Sequence, residues 1–175
     1  HLQRVIAFTG FATDPLGLGR RSGYVNRRGG LSRGVESYFE ATPYRGGHVR
    51  ASYTFTNSAR LDPALGLQRE FVVPRHLFGL NYEQRYRSFL VSLDLNRTGS
   101  YVAPVFENNF PFRTANLTFN GYTKADVFVN YERALGERVT LVLFGGAENL
   151  FDESYFENGF RAPGATGRGG ASFRF

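Results

Sequence analysis

The chain has 175 residues, with 21 Lys and Arg against 15 Asp and Glu, and it contains no Cys, Met or Trp. That length suits one domain with a sizeable core, and the lack of Cys excludes a disulfide framework, a thiolate zinc site and a thiol nucleophile. The formal charge of +6 does not read as a nucleic-acid footprint, because Arg20, Arg21, Arg27, Arg28, Arg50, Arg97, Arg138 and Arg168 are scattered rather than clustered.

In chain order, the opening HLQRVIAFTG is already strand-like, without an initiator Met or a basic-then-apolar leader, so residues are expected upstream of His1. A long polar or irregular loop is predicted at about 11–22, followed by one long strand within 23–44, which is free of Pro until Pro43. A tight turn at PYRGG (43–47) leads into HVRASYTFT, which sets Val49, Ala51, Tyr53 and Phe55 against Arg50, Ser52, Thr54 and Thr56. After a loop at 60–74 and a tight turn near EQRYR (83–87), FLVSLDLN places Phe89, Val91, Leu93 and Leu95 opposite Ser92, Asp94 and Asn96. A loop at 105–120 precedes ADVFVNYE, with Ala125, Val127, Val129 and Tyr131 on one side and Asp126, Asn130 and Glu132 on the other. A tight turn at ALGER (134–138), the strand from Val139, a loop at 153–163 and the terminal RGGASFRF complete the chain.

Period two throughout, with no helical stripe of comparable strength, makes the chain all-β. The longest apolar run, VTLVLFGGA, is far short of the about 18 residues a spanning helix needs. Tight turns alternating with long loops describe an antiparallel up-and-down meander with two different ends, the asymmetry of an outer-membrane β-barrel. The aromatic content of 16% supplies Tyr and Phe for interfacial girdles. A mean hydropathy of −0.31 is compatible with this, because only every second strand residue would meet lipid. A soluble sandwich or lipocalin-like barrel shares the alternation, but its loops would be short at both ends.

The last strand carries a further signal. In RGGASFRF, Ala171, Phe173 and Phe175 fall on one face and Ser172 and Arg174 on the other. Arg168, Gly170, Phe173 and the terminal Phe175 resemble the C-terminal signal by which barrel assembly machinery recognises bacterial outer-membrane barrels. The preceding stretch, with Asn149 to Asp152 (Asn-Leu-Phe-Asp), an aromatic loop from Tyr155 to Phe160, and Pro163 and Gly164, resembles the C-terminal end of TonB-dependent outer-membrane receptors. YVNRRGGLSRGVE (24–36) and VPRHLFGLNYE (73–83) resemble strands of the same family, in the family's order.

The resemblance implies that residues 1–175 form the C-terminal part of a transmembrane β-barrel domain, about the last eight strands of a barrel of about 22, whose plug lies outside this sequence. It implies a multi-pass protein of the Gram-negative outer membrane, in contact with lipid and lipopolysaccharide. Such a receptor binds a scarce solute, such as an iron-siderophore, cobalamin or an oligosaccharide, and imports it with energy from the TonB complex acting through the plug. The alternative is a complete small eight-stranded barrel acting as an enzyme or adhesin.

The residues offer little for catalysis, so no enzyme activity and no cofactor or metal is expected. His1, His48 and His76 have no metal-binding spacing and read as satisfied lumen or turn residues, and no nucleophile elbow or phosphate loop occurs. Asp94, Asp126, Glu132 and Glu148 fall on the polar faces, and with Arg50 and Lys124 they read as a lumen charge network. Substrate contacts are expected in the long loops, at Phe106, Asn108, Asn109, Phe110, Tyr155, Phe156 and Asn158, where aromatics mix with hydrogen-bonding groups. The competing reading is that these aromatics pack the loops together.

Overall fold

A computed structural model of the chain describes residues 4–10, 12–62, 65–107, 113–157 and 160–175. Among them are fourteen strand segments, and no helix is long and apolar enough to cross a membrane. The chain divides into two compact units, His1–Gly34 with Thr56–Glu70, and Val35–Phe55 with Phe71–Phe175.

In the first unit, β1 (Arg4–Gly10) pairs antiparallel with β2 (Ser22–Arg28). The predicted single strand within 23–44 is in fact broken at Gly29 and Gly30, beyond which β3 (Leu31–Ala41) begins. Gly30 lies so close to the Ala59 carbonyl that a Cβ there would collide with it, so the close approach selects glycine at the break. The region read as a loop at 60–74 is partly a hairpin: β4 (Gly47–Asp62) continues to Asp62 and pairs with β5 (Gly66–Arg69). The connection at 12–21 wraps one carboxylate. Asp14 accepts the N–H groups of Leu16 at 3.0 Å, Leu18 at 3.1 Å and Arg20 at 3.0 Å, and pairs with the Arg20 guanidinium at 2.8 Å.

The second unit is a meander. Its strands lie in the order β3, β4, β6 (His76–Tyr86), β7 (Phe89–Thr98), β10 (Tyr122–Ala134), β11 (Thr140–Glu148), β14 (Thr166–Arg174), antiparallel from β4 onward. Three tight turns join them. Gly47 N–H donates to the Tyr44 carbonyl at 3.0 Å, and Leu135 N–H to that of Val139 at 2.7 Å. The third turn sits at Arg87 and Ser88, a little beyond the predicted 83–87, with Arg87 at φ 51° as the right-handed twist of a two-residue hairpin requires.

The remaining strands form hairpins of their own: β8 (Tyr101–Glu107) with β9 (Arg113–Phe119), and β12 (Phe156–Glu157) with β13 (Phe160–Arg161). The regions read as irregular loops at 105–120 and 153–163 therefore carry regular pairing. Pro104 sits in the middle of β8, paired with Asn116 in a two-stranded ribbon, where a missing N–H on the outer side of the strand is tolerated.

Register gives each face a chemistry. One face carries Val49, Ala51 and Tyr53 beside Tyr82, Leu80 and Phe78, then Leu93 and Leu95, then Val127 and Ala125. It continues through Val91 and Val129, and through Leu143 and Ala171. Aromatics stand at its ends: Tyr86, Phe89, Tyr131 and Phe173 near the tight turns, Tyr53, Phe55 and Phe78 at the other. The opposite face carries Tyr38, Glu40, His48, Arg50, Asn81, Asp94, Asp126, Glu132, Glu148 and Arg168.

The predicted charge network forms on this polar face. Lys124 pairs with Asp126 at 3.0 Å and reaches Glu148 at 3.9 Å, which Arg168 approaches at 3.3 Å, and Arg174 meets Glu132 at 3.4 Å. Arg50 pairs instead with Glu40 at 3.4 Å, and Asp94 accepts from Asn81 at 2.8 Å. His48 meets Glu40 at 2.6 Å on the polar face. His76 differs from expectation: it opens β6 on the apolar face, against Tyr53 and Phe55. His1 lies outside the described residues.

Two aromatics break the polar pattern. Phe128 stands opposite Gly146 and Phe144 opposite Gly170. Each ring lies across its facing glycine, since a Cβ at Gly170 would sit 2.6 Å from Phe144 Cζ and one at Gly146 would collide with Phe128. The rings thus cover the bare backbone that glycine leaves on a strand.

Candidate functional site

The segment after β11 is held by Asn149, which is 1% exposed and adopts φ 53°, a conformation Asn tolerates better than most residues. Its side-chain amide donates to the carbonyls of Glu153 at 3.1 Å and Pro163 at 3.2 Å, and its Oδ1 accepts from Glu153 N–H at 3.1 Å. Its own N–H donates to Asp126 Oδ1 at 2.8 Å. Asp152, also at positive φ, accepts from Ala165 N–H at 2.8 Å, and Glu153 accepts from Thr123 N–H at 2.7 Å. The Asn-Leu-Phe-Asp stretch is thus a knot tying the loop to β10.

Beyond the knot, Tyr155 is buried and stacks on Tyr122, centroids 4.1 Å apart. Burial first, and then the nearby Glu157 carboxylate, push its phenol above the ordinary tyrosine range. Phe156 tilts against Phe119 at 5.5 Å, Phe119 stacks on Tyr101 at 5.2 Å, and the Tyr101 hydroxyl donates to the Phe156 carbonyl at 2.6 Å. Segment 71–74 lies along β8, where Val72 N–H donates to the Val102 carbonyl at 2.8 Å. Together these elements leave a cleft of about 200 Å³ lined by Val72, Pro74, Thr98, Tyr101, Tyr122, Phe156 and Glu157. Thr98 and Tyr122 are register partners in line with Asn96 and Lys124 of the polar face.

Of the residues expected to contact substrate, Tyr155 and Phe156 come together here. Phe156 lines the cleft, whereas Tyr155 spends its ring face on Tyr122. Phe106 is exposed on β8 opposite Thr114 and does not line the cleft. Asn108, Asn109, Phe110 and Asn158 lie outside the described residues. Of the terminal signal, Arg168 sits over the Phe128 ring at 5.2 Å, Gly170 beneath Phe144, Phe173 on the apolar face opposite Leu141, and Phe175 beyond the end of β14. Sequence reading missed Tyr101, Tyr122, Thr98 and Glu157. The first three flank breaks between strands, and Glu157 looked like any loop carboxylate.

No family model and no curated protein matches the sequence. Solved structures do. The crystal structure of the siderophore receptor PirA from Acinetobacter baumannii aligns with a TM-score of 0.60 at 14% identity, over 98% of this chain and 26% of PirA. The fold is similar to that of a segment of PirA. The likeness establishes the all-β, antiparallel architecture predicted from periodicity, and this chain spans about a quarter of the length of that receptor.

Proposed function

We propose that the chain is the C-terminal part of the barrel of a TonB-dependent outer-membrane receptor. In this reading it captures a scarce solute at the outer face and passes it inward when an inner-membrane complex pulls on the plug. This segment contributes wall, lumen charge and part of the loop vestibule, and no catalytic step. TonB coupling and the choice among iron chelate, cobalamin and oligosaccharide belong to the proposal.

The two-faced sheet carries this reading. From Phe78 to Tyr86 in β6, one aromatic end to the other, the apolar face runs about 26 Å at ~3.3 Å per residue, hence about 20 Å across a bilayer at a tilt of about 40°, close to the roughly 25 Å apolar band of such barrels. Its side chains stay outward: Phe89 is 45% exposed, Leu143 41% and Phe173 57%. A continuous apolar face of this size needs a covering, and lipid matches its aliphatic centre and aromatic ends. Loop hairpins at one end and tight turns at the other fit the outer and periplasmic sides.

Extraction of the native protein from outer membranes tests this, with boiled and unboiled electrophoresis compared. The receptor reading expects a heat-modifiable species of roughly four times the 19.6 kDa of this chain. A heat-modifiable species of about the chain's own mass would instead support the small-barrel enzyme or adhesin, and a water-soluble protein would refute both.

A further inference from the structure

The cleft at the base of the loops has an unusual balance of charge and surface. Three of its seven lining residues are aromatic, Tyr101, Tyr122 and Phe156, and Val72 and Pro74 add apolar wall. Glu157 is the one charged group among its described lining residues. No Arg or Lys is among the described lining residues, although basic residues outnumber acidic ones 21 to 15 in the chain.

The groups are also placed in advance. The Tyr101 hydroxyl is committed to the Phe156 carbonyl at 2.6 Å, which pins the loop to β8 and leaves the Tyr101 ring as wall. The Tyr122 hydroxyl reaches Glu157 Oε1 at 3.3 Å, a long hydrogen bond that steers the carboxylate toward the cleft without saturating it. Behind these, Tyr155 stacks on Tyr122 and the Asn149 knot fixes the loop's root, so little ordering remains to be done when a ligand enters.

We infer that this cleft is a subsite for an organic cation, an amidinium or protonated amine on an apolar or aromatic stem. Aromatic faces carry partial negative charge, attract cations and disfavour anions, and a carboxylate beside them supplies the counter-charge. A neutral polar group would find the Thr98 and Tyr hydroxyls already engaged, and in Glu157 an acceptor whose charge it leaves unmatched. At about 200 Å³ the cleft is smaller than the roughly 300–1,000 Å³ of a site enclosing a whole drug-sized ligand, so it holds one group of a larger solute. The inference rests on the receptor reading for its biological meaning, though the cleft's charge preference does not.

The test uses the full-length protein purified in detergent, with two probes of the same ring and opposite charge, benzamidinium and benzoate, followed by ligand-observed saturation-transfer NMR at pH 7. Benzamidinium is expected to bind at least about tenfold more tightly than benzoate, equivalent to ~1.4 kcal/mol, and Glu157→Gln is expected to abolish the difference while the protein stays heat-modifiable. Should Glu157→Gln fail to fold, Tyr122→Leu, which removes a wall but no charge, is expected to weaken benzamidinium binding by a similar factor. Benzoate binding as tightly as benzamidinium, or benzamidinium binding unchanged in the variant that folds, overturns the inference.

An epitope inserted after Gly164 and probed on intact cells separates this from the receptor reading. A surface-accessible epitope with no cation preference refutes the subsite alone. A Glu157-dependent cation preference with an inaccessible epitope supports the subsite and refutes the receptor's orientation.

Discussion

Asn149 and Asp126 are joined across 23 positions of sequence by a hydrogen bond of 2.8 Å from the Asn149 N–H to the Asp126 carboxylate. Asp126 is also the partner of Lys124 at 3.0 Å, so one carboxylate on the polar face anchors both the loop knot and the charge network. The loop is therefore fixed to the strand that carries Tyr122 and the cleft.

Asn149→Ala removes three side-chain hydrogen bonds from a buried position and places Ala at positive φ. A local cost of about 2–4 kcal/mol is expected. Limited proteolysis should cut within 150–165 in the variant and not in the parent, while heat-modifiability is retained. Asn149→Gly relieves the backbone but not the lost bonds, and should be cut nearly as readily.

The two ring-over-glycine pairs predict an epistasis. Gly170→Val drives a Cβ into the Phe144 ring, with only 2.6 Å to Cζ before any shift, and should sharply reduce the folded, heat-modifiable fraction. Combining it with Phe144→Ala should recover most of that fraction, because the obstacle is the ring itself. Failure of the double variant to recover would show that β14 needs glycine for its backbone instead.

The charge pairs should differ in weight. Lys124 is about a quarter exposed, and Lys124→Met removes the cation paired with Asp126, which keeps its bond from the Asn149 N–H, at an expected cost of about 1–3 kcal/mol. Arg168 and Arg174 are both 67% exposed on the side chain, and their Gln variants should stay within about 0.5 kcal/mol of the parent. Urea-driven unfolding in a common detergent or lipid ranks the three.

The loop around Asp14 should respond to pH in one direction. The Arg20 guanidinium hydrogen-bonded to Asp14 holds its carboxyl well below the usual carboxylate range. A depressed folded-state pKa gives stability that is fully present above the ordinary value of about 3.9 and is lost only as pH falls toward the depressed one. Protection of the Leu16, Leu18 and Arg20 amides from hydrogen exchange should therefore be full down to about pH 4 and decline progressively below it, toward the depressed value. Asp14→Asn should lower that protection at neutral pH. Loss of protection in the parent already near pH 5 would contradict the assignment.

Periodicity in the sequence was enough to place the two faces, because alternation is a local property: Phe89, Val91, Leu93 and Leu95 cannot share a face with Ser92 and Asp94 in any strand. The three tight turns were legible from their polar residues, joined by Gly in the turns at 43–47 and 134–138. The β8–β9 hairpin was not, since Pro104 and the intervening Asn and Pro residues weaken strand propensity, and what stabilises the ribbon is a neighbour distant in sequence, Phe156 on Phe119. The close approach of the Ala59 carbonyl that selects glycine at the break at Gly29 and Gly30 is likewise a contact distant in sequence. Asn149 stood inside a motif visible in the sequence, yet its work is side chain to backbone, across 4 and 14 residues. No residue pattern announces such bonds. The cleft was half legible: Phe156 was expected, but Tyr101, Tyr122 and Glu157 meet only after three connections have folded.

In the proposed receptor the apolar face meets lipid and the polar face meets an aqueous lumen. This stretch has no Cys, so single cysteines can be placed at successive positions 89–96 and spin-labelled in the full-length protein reconstituted in bilayers. Accessibility should alternate with period two: positions 89, 91, 93 and 95 exposed to oxygen in the hydrocarbon, and 92, 94 and 96 to a water-soluble paramagnetic complex. Protection of 91, 93 and 95 from oxygen as well, as inside a soluble protein, would contradict it.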